Sequence, residues 1–162
     1  MCFLQNLVMS NNEYNLNDSE IINFSAIDLF NIVLDVEKYP DFLPWCKAVY
    51  VKERRGNVIV ADLLASFKGL SGQYTSNVMF KEPTVDQEGW IKVEAVEGLF
   101  KFLHNQWTFI PKGESQTLVQ FYISCAFKIP MLQSAFNLVC DTAYKRIMSS
   151  FKNRANSLLL PK

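Results

Sequence analysis

The chain changes character at Asp35-Val36-Glu37-Lys38-Tyr39-Pro40-Asp41-Phe42-Leu43-Pro44-Trp45-Cys46. Pro40 and Pro44 rule out a continuous helix, because each lacks an N–H and pushes its predecessor out of the helical region. What lies between them is a turn or a single helical turn. Yet that short piece with its flanking residues carries Tyr39, Phe42, Leu43 and Trp45, more apolar surface than a connection needs. So stiff and greasy an elbow is either a lid over a cavity or a wedge that plugs the end of a solid core.

Upstream of the elbow, Ser25 stands three residues before Asp28 in the manner of a capping box. A helix is therefore expected over 26–36, with Ile27, Phe30, Val33 and Leu34 on one face, preceded by a strand through Ile21, Ile22 and Phe24. Residues 1–12 read as a loose leader, starting at Met1 or Met9, and 13–160 as one domain. Downstream the apolar period drops to two, with Gly, Asn or Pro at hairpin spacing, which is the pattern of an antiparallel meander. Strands are expected over 46–54, 58–67, 73–81, 90–96, 103–110 and 118–127. Alternation sets Ala61, Leu63, Ala65 and Phe67 on one face, with matching rows at Tyr74-Ser76-Val78-Phe80, Leu103-Asn105-Trp107-Phe109 and Val119-Phe121-Ile123.

After Pro130 helical spacing returns, through Leu132, Phe136, Val139, Ala143, Ile147, Phe151 and Leu158. The stripe predicts one helix of roughly 28 residues, about 42 Å long. With only one greasy stripe, such a helix must lie across the concave face of the sheet. The architecture expected is α+β, a helix-grip fold in which a curved antiparallel sheet of about seven strands wraps a long C-terminal helix.

Hydrophobic residues make up 49% of the 162-residue chain, and 13 of the residues are Phe, so the interior is large, whether filled or hollow. Lys plus Arg and Asp plus Glu number 16 each, so no global field holds the protein to nucleic acid. Locally, Lys145, Arg146, Lys152, Arg154 and Lys162 form an acid-free basic run, either a solvated helix face or a contact for anionic lipid or RNA. Cys2, Cys46, Cys125 and Cys140 lack metal-ligand spacing and fit a reducing compartment. No run reaches the ~18 apolar residues of a bilayer span. The single His104 alternates outward, as do Asp62 and Glu94, so no acid–base pair faces the interior, and neither an enzymatic activity nor a metal is expected.

The elbow, together with Ala61-Asp62-Leu63, Phe67-Lys68-Gly69-Leu70, Tyr74-Thr75-Ser76 and Glu97-Gly98-Leu99-Phe100-Lys101 followed by Leu103, Asn105 and Trp107, resembles the signature of the coenzyme Q-binding START-like (Bet v 1-like) family. That family is grouped with polyketide cyclase/dehydrase-like proteins and with the bacterial ribosome association toxin RatA. The resemblance runs over about 15–159. One departure is Leu99, where the family usually has proline, a change expected to loosen that loop.

The resemblance implies a hydrophobic tunnel between sheet and last helix that holds ubiquinone or a similar polyprenyl lipid, without catalysis and in support of respiration. The alternative it implies is a RatA-type toxin that binds the ribosome and blocks subunit association. The candidate ligand-binding residues are Tyr39, Phe42, Leu43, Trp45, Ala61, Leu63, Phe67, Tyr74, Asn105, Trp107, Phe121, Val139 and Ala143. A quinone ring offers only acceptors, so Asn105, Ser76, Tyr74 and the Trp107 indole are the candidate donors, unless they satisfy one another or the backbone. The implied setting is the bacterial cytoplasm, with transient contact at the inner membrane surface and no DNA partner. Leu70, Leu99 and Phe100 fall in expected turns, where they either dip into a membrane or cover the barrel end.

Overall fold

The computed structural model describes residues 12–160, so the expected leader lies outside the described residues but for Asn12. Seven strands, β1 (Tyr14–Ile22), β2 (Cys46–Arg55), β3 (Val58–Phe67), β4 (Leu70–Lys81), β5 (Gly89–Gly98), β6 (Phe100–Pro111) and β7 (Thr117–Phe127), form one sheet. Its order is β1-β7-β6-β5-β4-β3-β2, antiparallel throughout, so the six strands after the elbow are a simple meander and β1 closes the far edge against β7.

Short hairpins carry the meander. Lys68 and Gly69 both adopt positive φ, 46° and 79°, the handedness a two-residue hairpin needs to match strand twist. Phe67 therefore pairs directly with Leu70, and the expected five-residue turn shrinks to two. At the β5–β6 turn Gly98 has φ 112°, and a Cβ there would lie 2.3 Å from the Gln73 carbonyl. Leu99 donates its N–H to that carbonyl at 3.2 Å, and its own carbonyl accepts from Lys128 N at 3.0 Å. Proline could not make the first bond, so Leu99 adds a backbone tie at this turn that the family's usual residue lacks.

Helix α1 (Ala26–Leu34) begins as the capping box requires: Asp28 N donates to Ser25 Oγ at 3.1 Å, and Ser25 Oγ donates back to the Asp28 carboxylate at 2.7 Å. Its buried face is Ala26, Leu29, Phe30 and Val33, with Ile27 and Leu34 only half-buried, so the expected face is rotated by part of a turn. The helix stops at Leu34, and the elbow follows as a 3-10 turn (Val36–Lys38) and the single-turn α2 (Tyr39–Phe42), opened by Pro40 near its first position.

The expected 28-residue helix is in fact two, α3 (Pro130–Asn137) and α4 (Cys140–Leu159). The chain bends at Leu138 and Val139, where Val139 takes φ −127° and Leu138 points outward, 87% exposed. The bend lets the apolar stripe follow the curve of the sheet; Leu158, expected in it, is exposed. At one end of the barrel Phe30, Phe109, Ile59 and Val119 are buried together, and the Phe30 ring meets Phe109 edge-on at 5.7 Å.

Candidate functional site

Toward the other end, the sheet, the elbow and α3–α4 enclose a cavity of about 370 Å³. Its walls follow from strand alternation, since every second residue of β3, β4 and β6 turns inward. Ala61, Leu63, Ala65 and Phe67 line it from β3, Tyr74, Ser76 and Val78 from β4, and Leu103, Asn105 and Trp107 from β6. Ala61 faces into it on one wall and Ala143 on another, and their small side chains leave the space that larger ones would fill.

The elbow covers this space. Tyr39, Leu43 and Trp45 line it directly. The Tyr39 hydroxyl donates to the Val33 carbonyl at 2.5 Å, occupying one of the carbonyls left over at the end of α1 and pinning the elbow to that helix. Trp45 sits at φ 66°, an uncommon conformation for a residue with a side chain, which turns its ring edge-on to Phe67 at 5.3 Å. Its carbonyl accepts from Ser66 N at 2.9 Å, which ties the elbow to β3.

Of the residues singled out in the sequence, Tyr39, Leu43, Trp45, Ala61, Leu63, Phe67, Tyr74, Asn105, Trp107, Phe121, Val139 and Ala143 all border the cavity. Phe42 does not. It braces the elbow from behind, edge-on to Phe151 at 5.3 Å and under the Arg154 guanidinium at 5.4 Å. Leu70, Leu99 and Phe100 also turn inward; Phe100 packs on Tyr74 at 5.0 Å and on Phe127 at 4.7 Å, so these residues cover the barrel end. Exposed apolar side chains include Ile129, Met131 and Leu138 around α3, besides Ile21, Tyr50, Leu64, Val85, Val96, Tyr122, Leu158 and Leu160 elsewhere on the described surface.

Among the candidate donors, Asn105 Nδ2 donates to the Tyr122 carbonyl at 2.8 Å, and Ser76 Oγ lies 3.5 Å from the Ala61 carbonyl. Both thus have backbone partners. Tyr14, not singled out in the sequence, borders the cavity and is 2% exposed. The signal for it was present, because Tyr14 and Leu16 alternate inward on β1, but Asn15, Asn17, Asp18, Ser19 and Glu20 hide that short pattern.

The cavity is electrically neutral. Burial pushes the phenols of Tyr39, Tyr74 and Tyr14 up, the Cys46 thiol up to about 11 and the Cys125 thiol up to about 12. All of them stay protonated near neutral pH, so an uncharged guest meets no opposing charge and an ionic one would find no counter-ion to offset its desolvation. His104 lies outside the barrel, 3.6 Å from Glu94, and Asp62 lies outside with Thr75 and Lys52. Hydrogen bonding by Thr75 and the Lys52 charge hold the Asp62 carboxyl below its ordinary range. Among the described residues, no three His, Cys, Asp or Glu side chains gather as a metal site, and no helix is long and apolar enough to cross a membrane.

A curved seven-stranded sheet gripping a C-terminal helix around a neutral apolar cavity defines a helix-grip protein of the START type. The chain belongs to the polyketide cyclase/dehydrase and lipid transport family, which it matches over residues 22–152. Among curated relatives, it is 27% identical over 143 residues to the ribosome association toxin RatA of Rickettsia prowazekii, covering 87% of this chain and 95% of that one. It is 28% identical over 144 residues to the mitochondrial coenzyme Q-binding protein COQ10 of Drosophila melanogaster, covering 84% of this chain and 57% of that protein. The fold is that of a START superfamily protein from Mycobacterium smegmatis (TM-score 0.70, 19% identity, 89% and 98% of the two chains). It is also that of the Zhui aromatase/cyclase from Streptomyces sp. R1128 (TM-score 0.75, 12% identity, 89% and 94%).

Proposed function

We propose that the protein binds a polyprenyl quinone such as ubiquinone in this cavity and chaperones it without changing it. The observation that carries this reading is the neutral, mostly apolar cavity of about 370 Å³ under a pinned aromatic elbow. That volume lies within the ~300–1,000 Å³ of small-molecule sites. Each five-carbon unit buried contributes about 3–4 kcal/mol at ~0.8 kcal/mol per carbon group. Two or three buried units therefore approach or exceed the ~8 kcal/mol of micromolar affinity before the costs of association. The ligand-binding residues are the cavity-facing ones named above, and the relative named for binding coenzyme Q supports the choice of quinone.

A non-enzymatic role fits a site in which the only histidine and its nearest acid lie on the outer surface. Access to a membrane-dwelling ligand falls to α3. Leu132, Ala135 and Phe136 on its inner side border the cavity, while Ile129, Met131 and Leu138 at its ends stand exposed and can rest on a lipid surface. The protein acts in the cytoplasm, docking only peripherally. The test is incubation with quinone-loaded vesicles, flotation of the vesicles, and quinone assay of the protein left behind. Quinone in the protein fraction supports the reading, and its absence there with folded protein refutes it.

A second reading, ribosome binding of the RatA type, is favoured by relatives of nearly equal length that carry that name. Its contact would be the basic face of α4, where Lys145 and Arg146 are exposed. Lys152 is already engaged, bonding both Glu20 carboxylate oxygens at 3.0 Å, and Arg154 lies over Phe42. Sedimentation with ribosomal subunits at low and moderate salt tests it: co-migration that weakens with salt is expected, and none at either salt removes it.

A further inference from the structure

Three separate turns come together at the cavity end of the barrel. The β3–β4 hairpin turns at Lys68 and Gly69, and just past it a Cβ on Gly72 would lie 2.6 Å from the Leu99 side chain, so the β5–β6 turn sits over that hairpin. The Leu99 carbonyl accepts from Lys128 N at 3.0 Å, and the Phe127 ring packs on Phe136 of α3 at 5.2 Å, which joins the end of β7 and the helix to the same rim. Each turn brings one exposed lysine: Lys68, Lys101 and Lys128. Over 67–70, 97–101 and 127–131 these three lysines stand against the single acid Glu97, in a chain of zero net charge. None of the three forms an ion pair among the described residues, whereas Lys52, Arg54, Arg55 and Lys152 each meet a carboxylate.

A lysine at a hairpin tip is ordinary when it stands alone. Here Ile129 and Met131, 50% and 64% exposed, follow Lys128 directly in the chain, so unpaired cations and bare apolar side chains share one surface. Nucleic acid phosphates would satisfy the lysines and leave those two side chains in water. A bilayer with anionic headgroups takes both kinds of group at once. We propose that this rim docks the protein on a membrane rich in anionic phospholipid, with Lys68, Lys101 and Lys128 meeting headgroup phosphates while Ile129 and Met131 enter the acyl boundary. The inference deepens, and rests on, the reading above in which the guest of the cavity comes from a membrane. It adds a choice of membrane, a negatively charged one, and turns the cavity end of the barrel toward it.

The test is flotation with quinone-free vesicles of phosphatidylcholine alone and of phosphatidylcholine mixed with phosphatidylglycerol. Wild type should bind the mixed vesicles more tightly, and added salt should erase the difference. A lysine near an anionic surface is worth about a fivefold change in binding, so the triple variant Lys68→Gln, Lys101→Gln, Lys128→Gln should bind the mixed vesicles on the order of a hundredfold more weakly. Its binding to neutral vesicles should not change, and Lys145→Gln with Arg146→Gln on α4 should leave both untouched. Equal binding of wild type to the two vesicle types, a triple variant as good as wild type, or a loss that follows the α4 pair instead overturns the proposal. So does a triple variant that loses ribosome co-sedimentation while floating undiminished, which would assign the lysines to RNA. Should the triple variant not fold, wild type decides alone, through its preference between the vesicles and its response to salt. Uptake of decylubiquinone from detergent micelles needs no bilayer and judges the cavity reading separately: uptake without any charge preference in flotation overturns the docking surface and leaves the cavity reading standing.

Discussion

Replacing Ala61 by Phe asks directly whether the space inside the barrel is hollow. Ala61 is 3% exposed, sits in mid-strand between partners Val51 and Ser76, and faces the cavity of about 370 Å³. If the added ring enters empty apolar space, burying a Phe side chain contributes about 1.5–3 kcal/mol, at a strand position that suits an aromatic. If the space were already filled, the same ring would force side chains off their rotamers at a cost of about 1–3 kcal/mol. The two cases differ in sign, so the result does not depend on the precision of either figure.

In urea titration the midpoint should rise with no change in slope. At about 2–4 °C per kcal/mol for a chain of this size, the melting temperature should rise by roughly 3–12 °C. Quinone uptake should fall, because the ring occupies the ligand's place. Ala143→Phe, on another wall, should behave alike. A lowered midpoint with undiminished uptake for both variants would refute the reasoning.

Tyr39→Phe removes the bond to the Val33 carbonyl and should lower stability by about 1–3 kcal/mol while weakening ligand retention; an unchanged urea midpoint would mean the elbow is not pinned there. The triple change Ile129→Ser, Met131→Ser, Leu138→Ser should reduce liposome co-sedimentation without lowering the melting temperature, and equal co-sedimentation would remove α3 as the membrane-facing element. Stability should also depend on alkaline pH. The folded pKa of Cys46 is raised by burial to about 11, above the ordinary thiol value, so its contribution is complete below that ordinary value and is lost as pH climbs through the folded one. The urea midpoint should therefore drop between about pH 8.5 and about pH 11, and drop less in Cys46→Ala; identical pH profiles would contradict this.

Strand alternation is a local property, and it placed the β3, β4 and β6 rows on the cavity side before any contact was known. The elbow was equally legible, since two prolines set among four large apolar residues leave few conformations. The bend at Leu138–Val139 was not, because Leu132, Phe136, Val139 and Ala143 keep helical spacing straight through it, and no proline or glycine marks the break. Phe42 looked like a lid residue by composition, yet the one-turn α2 rotates it onto Phe151 and behind the elbow. Whether Asn105 offers its amide to a guest or to the chain depends on the β6–β7 register, which puts the Tyr122 carbonyl within its reach. Tyr14 escaped notice because polar neighbours obscure its alternation.

The most direct test of the central claim is native mass spectrometry of protein freshly purified from a quinone-producing host, followed by organic extraction and identification of what is released. A bound neutral polyprenyl lipid at close to one per chain, lost in Ala61→Phe, is the predicted result. Folded protein that flies at its bare mass, releases no lipid and takes up none from quinone-loaded vesicles would contradict it.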